Sequence, residues 1–307
     1  MKMGMIGLGK MGGNMAFRLS RGGVHVIGYD RSPETVAEWV NRAGLISAGS
    51  VQQMVDMLQP PRILWLMLPS GQVTEDQIHV LGELLEPGDV VVDGGNSNYH
   101  DSQRRGDLLK EKGIGFMDAG TSGGVWGLEN GYCMMVGASP EVCGKVAPLL
   151  RILAPAPDKG WAHVGPVGSG HFVKMIHNGV EYGMMQALAE GFALMSGKKE
   201  YGLDMAQVAT LWQEGSVVRS WLLDLTAEAL RSPMKLQEVP PYVADSGEGR
   251  WTVMEAIEQG VPTPVLSLAL QMRFQSQDAH GYTFRLLSMM RHAFGGHAME
   301  GGGHERT

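Results

Sequence analysis

Met3-Gly4-Met5-Ile6-Gly7-Leu8-Gly9-Lys10-Met11-Gly12 opens the chain with an apolar run that breaks into spaced glycines. Met3–Gly7 reads as a buried strand, and the amphipathic segment Met11–Arg21 reads as a helix. Gly7, Gly9 and Gly12 carry GxGxxG spacing at the junction. There the first glycine permits a tight turn, the second lets a pyrophosphate approach the backbone, and the third lets helix and strand pack closely. The helix N-terminus then offers N–H groups and the positive end of its dipole to phosphate. Asp30 ends the next apolar run, about 20 residues past the glycines, where a carboxylate can bind the 2′-OH of NAD and would repel the 2′-phosphate of NADP. Arg31 follows and softens that preference, so the expected cofactor is NAD, with weaker use of NADP. The residues expected on the cofactor are Gly7, Leu8, Gly9, Lys10, Met11, Gly12, Asp30, Arg31, Ser32, Leu68, Pro69 and Asn96.

Outward from this loop, apolar runs at Val24–Tyr29, Ile63–Leu68, Val90–Asp93 and Gly115–Asp118 alternate with amphipathic segments near Pro33–Arg42, Thr74–Leu85 and Ser102–Lys112. The order predicts a Rossmann-like, doubly wound α/β fold with a mostly parallel sheet. Leu68-Pro69-Ser70-Gly71 and Asp93-Gly94-Gly95-Asn96-Ser97 fall where strand ends should converge on a ligand. From Gly168 to Gly197 the pattern becomes one long helix. More helices are expected near Met205–Glu214, Ser220–Leu230, Trp251–Glu258, Val265–Gln275 and Phe284–His292. The expected division is a dinucleotide-binding domain over 1–165, an all-α substrate and oligomerisation domain over 166–297, and a flexible tail over 298–307.

Composition narrows the function. Of the 307 residues, 44% are hydrophobic and 19% charged, ample for packed cores. A formal net charge of -7 argues against a general nucleic-acid binder, yet a few arginines can still make a pocket for a small anion. The two cysteines, Cys133 and Cys143, show neither CxxC nor Cys/His metal spacing. With no signal-peptide pattern and no apolar run of spanning length, the expected location is the cytoplasm.

The second informative stretch is His171-Phe172-Val173-Lys174-Met175-Ile176-His177-Asn178-Gly179-Val180-Glu181-Tyr182. Lys174, His177 or Asn178, and Glu181 share one helical face. Phe172, Val173, Met175, Ile176, Val180, Met184 and Met185 surround them, so this helix is expected to be buried on most sides with a narrow ionisable stripe. Lysine and glutamate are seldom buried unless paired or used. A structural Lys–Glu pair would account for two of these residues. The added His-Asn and the upstream nucleotide loop favour catalysis. Oxidation of a secondary alcohol needs a base, and a lysine serves only when neutral, a state that desolvation favours.

Gly7–Asn14, Asp93–Ser97, Gly120–Gly124, Lys174–Tyr182 and Arg291–His297 together resemble the β-hydroxyacid dehydrogenases. Within these they resemble the short-chain form of the decarboxylating 6-phosphogluconate dehydrogenases, from Met3 to about His297. The resemblance implies oxidative decarboxylation of 6-phosphogluconate to ribulose 5-phosphate and CO2, as in the pentose phosphate pathway and gluconate utilisation. It implies that Lys174 is the general base and later assists decarboxylation, and that Glu181 protonates C1 of the enediol. It places the sugar acid on Asn96, Ser122, Gly123, Gly124, His177 and Asn178, and the phosphate near Tyr182 and Arg273. It implies a homodimer or homotetramer in which Arg291 and His297 are donated across subunits, and no metal. Two departures stand out. Longer family members read Lys-Gly-Thr-Gly-Lys-Trp-Thr where this chain has Ser246-Gly247-Glu248-Gly249-Arg250-Trp251-Thr252, and NADP-using members carry Asn in place of Asp30. A 3-hydroxyisobutyrate-type enzyme, which oxidises without decarboxylating, would need Lys174 but neither Glu181 with His177 nor the Arg291…His297 ending. A non-catalytic dinucleotide sensor would have no use for Lys174 and Glu181 on one face.

Overall fold

The computed structural model describes residues 1–232 and 236–295. The chain begins β1 (Lys2–Ile6), α1 (Lys10–Arg21), β2 (His25–Tyr29), α2 (Pro33–Ala43), β3 (Ile46–Ser47), α3 (Val51–Asp56) and β4 (Ile63–Leu66). It continues α4 (Gln72–Leu84), β5 (Val90–Asp93), α5 (Tyr99–Glu111), β6 (Gly115–Ser122), α6 (Gly127–Asn130), β7 (Cys133–Ala138), α7 (Pro140–Leu153) and β8 (Trp161–Gly165). Helices follow: α8 (Ser169–Gly197), α9 (Met205–Gln213), α10 (Trp221–Arg231), α11 (Glu248–Gln259), α12 (Pro264–Gln277) and α13 (Tyr282–Gly295). No described helix is long and apolar enough to cross a membrane.

The strands form one sheet in the order β3-β2-β1-β4-β5-β6-β7-β8. Neighbours are parallel except β6 and β7, so the expected doubly wound, mostly parallel fold is present. Successive residues of a strand face opposite sides. Met3, Met5, Trp65 and Val92 therefore pack with Leu19, Trp39, Val146 and Leu150 of α1, α2 and α7. Ile27, Leu64, Leu66 and Val91 pack with Met54, Ile78, Leu81 and Leu109 of α3, α4 and α5. Burial on both faces explains why these strands read as continuous apolar runs, each large side chain contributing roughly 1.5–3 kcal/mol. Chain order reverses between β1 and β4, so the loops after these strands lie side by side at the edge where such sheets bind ligands.

Two expectations need correction. The apolar-run reading stops at Asp118, but β6 continues through Gly120 to Ser122 and returns antiparallel as β7. Small and polar residues hide this extension, and Cys133-Met134-Met135-Val136-Gly137-Ala138 shows neither clean alternation nor β-branched richness. Second, α8 is not buried on most sides: Val173, Val180, Met184 and Met185 are exposed. Its apolar residues extend around the helix beyond the face that this chain covers.

By packing, the chain divides into two compact units, Met1–Glu181 with Glu248–Gly260, and Tyr182–Gly247 with Val261 onward. The first holds the sheet, its flanking helices, the beginning of α8, and α11. In the second, Phe192, Ala209, Leu223 and Ala227 form a small core.

The loops at the strand ends are tied together by a guanidinium with only 1% of its residue surface exposed, that of Arg105 on α5. Its Nη1 donates to Asp93 Oδ2 at 3.2 Å and to Ser97 Oγ at 3.1 Å, its Nε to Glu75 Oε2 at 2.9 Å, and its Nη2 to the Gly71 carbonyl at 3.2 Å. Asp93 also accepts from Gly95 N–H and Ser97 Oγ–H. Arg104 binds Glu75 as well, chiefly holding that carboxyl down to about 2. Both glycine-bearing loops thus hang on one buried cation. Replacing Arg105 by Leu strands the buried Asp93 carboxylate and is expected to cost about 3–5 kcal/mol in urea unfolding. The double variant Arg105→Leu/Asp93→Asn should recover part of that loss. A cost below about 1 kcal/mol, usual for an exposed pair, would mean that the loops do not depend on Arg105.

Candidate active site

The glycine loop has the three-part logic expected of it. Gly7 has φ 91, and a Cβ there would land on the Met67 carbonyl. A Cβ on Gly12 would land on the Gly7 carbonyl, so helix and strand meet only because it is missing. A Cβ on Gly9 would meet no protein atom within 4 Å. That position is open, and α1 starts on it without a side-chain cap. An open glycine at an uncapped helix N-terminus suits the phosphates of a dinucleotide. Gly13 abuts Trp39, whose Nε1–H donates to the Leu8 carbonyl at 2.8 Å.

Asp30 follows β2 and accepts from Leu8 N–H at 2.8 Å and from Ser32 N–H at 3.0 Å, which fixes the carboxylate at the mouth of the loop. Leu8 itself is buried with both backbone groups engaged, so its part is to hold the loop. Ser32 caps α2. Lys10, Arg31, Pro69 and Asn96 are exposed, and Met11 and Leu68 are half-buried.

Lys174 lies one turn into α8 with 7% of its surface exposed. Burial is the main influence on it and pushes its ammonium below the usual lysine range, while Glu181 and Glu248 pull the other way. Its Nζ is 3.5 Å from His177 Nδ1, which is 3.1 Å from Asn178 Oδ1 and 3.8 Å from Glu181 Oε2. The four polar residues of the expected stripe are therefore gathered. Strand β6 makes room for the lysine: a Cβ on Gly120 would run into Lys174 Cβ and would lie 2.7 Å from the Gly170 carbonyl. Two residues on, Ser122 ends the strand opposite Cys133. Gly123 and Gly124 follow with φ 126 and 52, a backbone path that favours glycine.

In the second unit, the Tyr182 hydroxyl donates to Asp245 Oδ1 at 3.2 Å and accepts from Ser246 N–H at 3.3 Å. The Arg273 guanidinium stacks over the Tyr182 ring, 3.5 Å from its centroid, and donates to the Ala244 carbonyl at 2.7 Å. Tyr182 and Arg273 are thus brought together, as expected. Arg291 is exposed on α13, and His297 lies outside the described residues.

Sequence reasoning missed several residues that hold this arrangement. Nothing in the local sequence sets Arg105 apart from an ordinary helix charge. Glu248 is buried at the start of α11, near enough to act on Lys174. Asp118, Ser102 and His171 are buried and hydrogen-bonded around the start of α8. A carboxylate ending an apolar strand run was the one available signal for Asp118.

Comparison with known proteins agrees with this geometry. Residues 2–165 match the NAD binding domain of 6-phosphogluconate dehydrogenase, and residues 170–283 match the C-terminal domain of 6-phosphogluconate dehydrogenase. An NAD(+)-dependent, decarboxylating 6-phosphogluconate dehydrogenase of Haloferax volcanii is 42% identical over 97% of this chain and 98% of its own length. One of the same description from Bacillus subtilis is 36% identical over 89% of this chain but only 61% of its own length. The solved 6-phosphogluconate dehydrogenase of Plasmodium falciparum superposes with a TM-score of 0.85 at 30% identity, covering 95% of this chain and 64% of that one. This chain therefore belongs to the 6-phosphogluconate dehydrogenase family.

Proposed function

We propose that this chain catalyses the oxidative decarboxylation of 6-phosphogluconate to ribulose 5-phosphate and CO2 in the cytoplasm, with NAD as hydride acceptor. The observation that carries the reading is a buried Lys174, its pKa lowered by that burial, in the same packing unit as an open dinucleotide loop. Gly7, Gly9, Gly12 and the first turn of α1 would hold the pyrophosphate, and Asp30 the adenosine ribose. The bound nicotinamide supplies the acceptor for the hydride leaving the secondary alcohol. Neutral Lys174 takes the hydroxyl proton as that hydride leaves. The resulting β-keto acid loses CO2, with Lys174 returning a proton toward the ketone oxygen. Glu181, 3.8 Å from His177, then protonates C1 of the enediol while neutral Lys174 takes back the proton of the C2 hydroxyl, leaving the ketone. Asn96, Ser122, Gly123, Gly124, His177 and Asn178 hold the sugar acid, and Tyr182 and Arg273 its phosphate.

We also propose that the working form is a homodimer or homotetramer completed by Arg291 and His297 from a neighbouring copy. The exposed apolar residues of α8 support an oligomer.

The test is NADH formation with 6-phosphogluconate, run beside NADP and beside 3-hydroxyisobutyrate, with CO2 release measured in parallel. NADH and CO2 should appear together. Turnover of the smaller acid alone, without CO2, would point to the non-decarboxylating enzyme. Lys174→Met should lower kcat about 10²–10⁴-fold and leave NAD binding in place. Since the lysine must be neutral, activity should fall as pH drops through its pKa. Burial lowers that pKa, so the acid limb should lie below the ordinary lysine value of about 10.4. An acid limb at that ordinary value would count against Lys174 as the base. Asp30→Asn removes the charge that repels a 2′-phosphate and should shift the NADP/NAD preference by about tenfold or more toward NADP. An unchanged ratio would place cofactor choice elsewhere.

A further inference from the structure

Three groups beneath the beginning of α8 have no part in the chemistry just described, yet they are buried and joined. Asp118 has no exposed surface, and its Oδ1 accepts from Gly168 N–H at 2.7 Å while its Oδ2 accepts from His171 N–H at 2.8 Å. The carboxylate is thus spent on two donors at the helix start. His171 is 1% exposed, and its Nδ1 lies 2.7 Å from Ser102 Oγ on α5. Ser102 in turn donates to the Asn98 carbonyl at 3.3 Å. Asn98 caps α5 and stands two residues beyond Asn96. Ser102 Oγ has one proton for two partners, the Asn98 carbonyl at 3.3 Å and His171 Nδ1 at 2.7 Å, so Nδ1 donates or accepts according to the tautomer of the ring. His171 Nε2 is buried with no hydrogen-bond partner among the described residues. The ring's side-chain hydrogen bonding therefore runs through Ser102.

We propose that Asp118, Ser102 and His171 are positioning residues for Lys174: one buried hydrogen-bonded chain runs from the Asn96 loop through α5 to the first turn of α8 and fixes where the lysine stands. Lys174 is three residues past His171, and its Cβ crosses β6 at Gly120, two residues past Asp118 on the same strand face. The helix start is pressed against the sheet as well, since a Cβ on Gly170 would lie 2.5 Å from the Asp118 and Met135 carbonyls. Apolar packing alone would tolerate sliding of the helix. Acceptors aimed at two named N–H groups do not, and a buried polar chain is costly to break at any link.

The proposal rests on Lys174 being the base, so the experiment includes Lys174→Met as its reference. Ser102→Ala, His171→Leu and His171→Asn are compared by kcat per NAD-binding site, KM for 6-phosphogluconate, and NAD affinity from calorimetry. Normalising to binding sites removes any loss of folded protein. His171→Leu is expected to lower kcat about 10- to 100-fold, the scale of a misplaced reacting group, with KM and NAD affinity held within about threefold. Ser102→Ala should act in the same direction. His171→Asn, whose side-chain amide can replace Nδ1 as donor or as acceptor, should recover most of the loss. Wild-type kcat in His171→Leu overturns the proposal, and so does an equal loss in the Leu and Asn variants. If His171→Leu does not fold, Ser102→Ala removes a single hydroxyl and decides the matter, full kcat being the overturning result. Should Lys174→Met itself turn over normally, it is the assignment of the base that fails.

Discussion

A lysine with 7% of its residue surface exposed must have its charge held by its surroundings or be driven back to its neutral form. Lys174 stands between these limits. Burial is the larger influence and lowers its pKa; Glu181 and Glu248 offset part of it. Its approach to His177, at 3.5 Å, is longer than a strong hydrogen bond. For the proposed base, a close, well-aligned carboxylate would lock the lysine in its charged form. With no carboxylate nearby, the returning ammonium would be poorly stabilised. The position of this one nitrogen is the constraint that the neighbouring elements satisfy.

Strand β6 satisfies it with three residues of one face, because successive side chains alternate. Asp118 receives the N–H groups at the start of α8, Gly120 gives up its side chain so that Lys174 can pass, and Ser122 ends the strand at the Gly123-Gly124 turn. Burial raises the pKa of Asp118, and the helix N–H groups it accepts from work against that rise. A capping carboxylate is well matched to a helix N-terminus, which carries the positive end of the dipole. The same strand face therefore anchors the helix and clears the path of its lysine.

The fold was legible wherever local pattern and burial agree. Strands buried on both faces had to be apolar runs, and the glycine loop carried its own steric logic, residue by residue. Strand β7 escaped because an antiparallel return with two glycine-like small positions and two methionines imposes no period. The stripe of Lys174, His177, Asn178 and Glu181 was legible because helical spacing alone gathers it. Arg105, Ser102 and His171 were not, since their meaning lies in partners up to 34 residues away for Arg105 and 69 residues apart for Ser102 and His171. No local spacing encodes such partners. The exposed flank of α8 misled for a related reason: an apolar residue signals that something covers it, without saying which chain does.

The second unit shows how a loop can be ordered by its own polar groups. The stretch Ala244-Asp245-Ser246-Gly247 carries no lysine or arginine of its own. It is knit by its own groups instead: Asp245 Oδ1 accepts from both the Tyr182 hydroxyl and Gly247 N–H. That engagement directs the carboxylate into its own turn. Arg273 supplies a cation beside it, and its stacking on Tyr182 sets the plane of the guanidinium. A planar donor held in one orientation loses little freedom when it meets a phosphate, which is where arginine differs from a lysine on a flexible stem. In the proposed phosphate role, a stacked arginine thus trades reach for orientation, and its orientation depends on the packing of Tyr182.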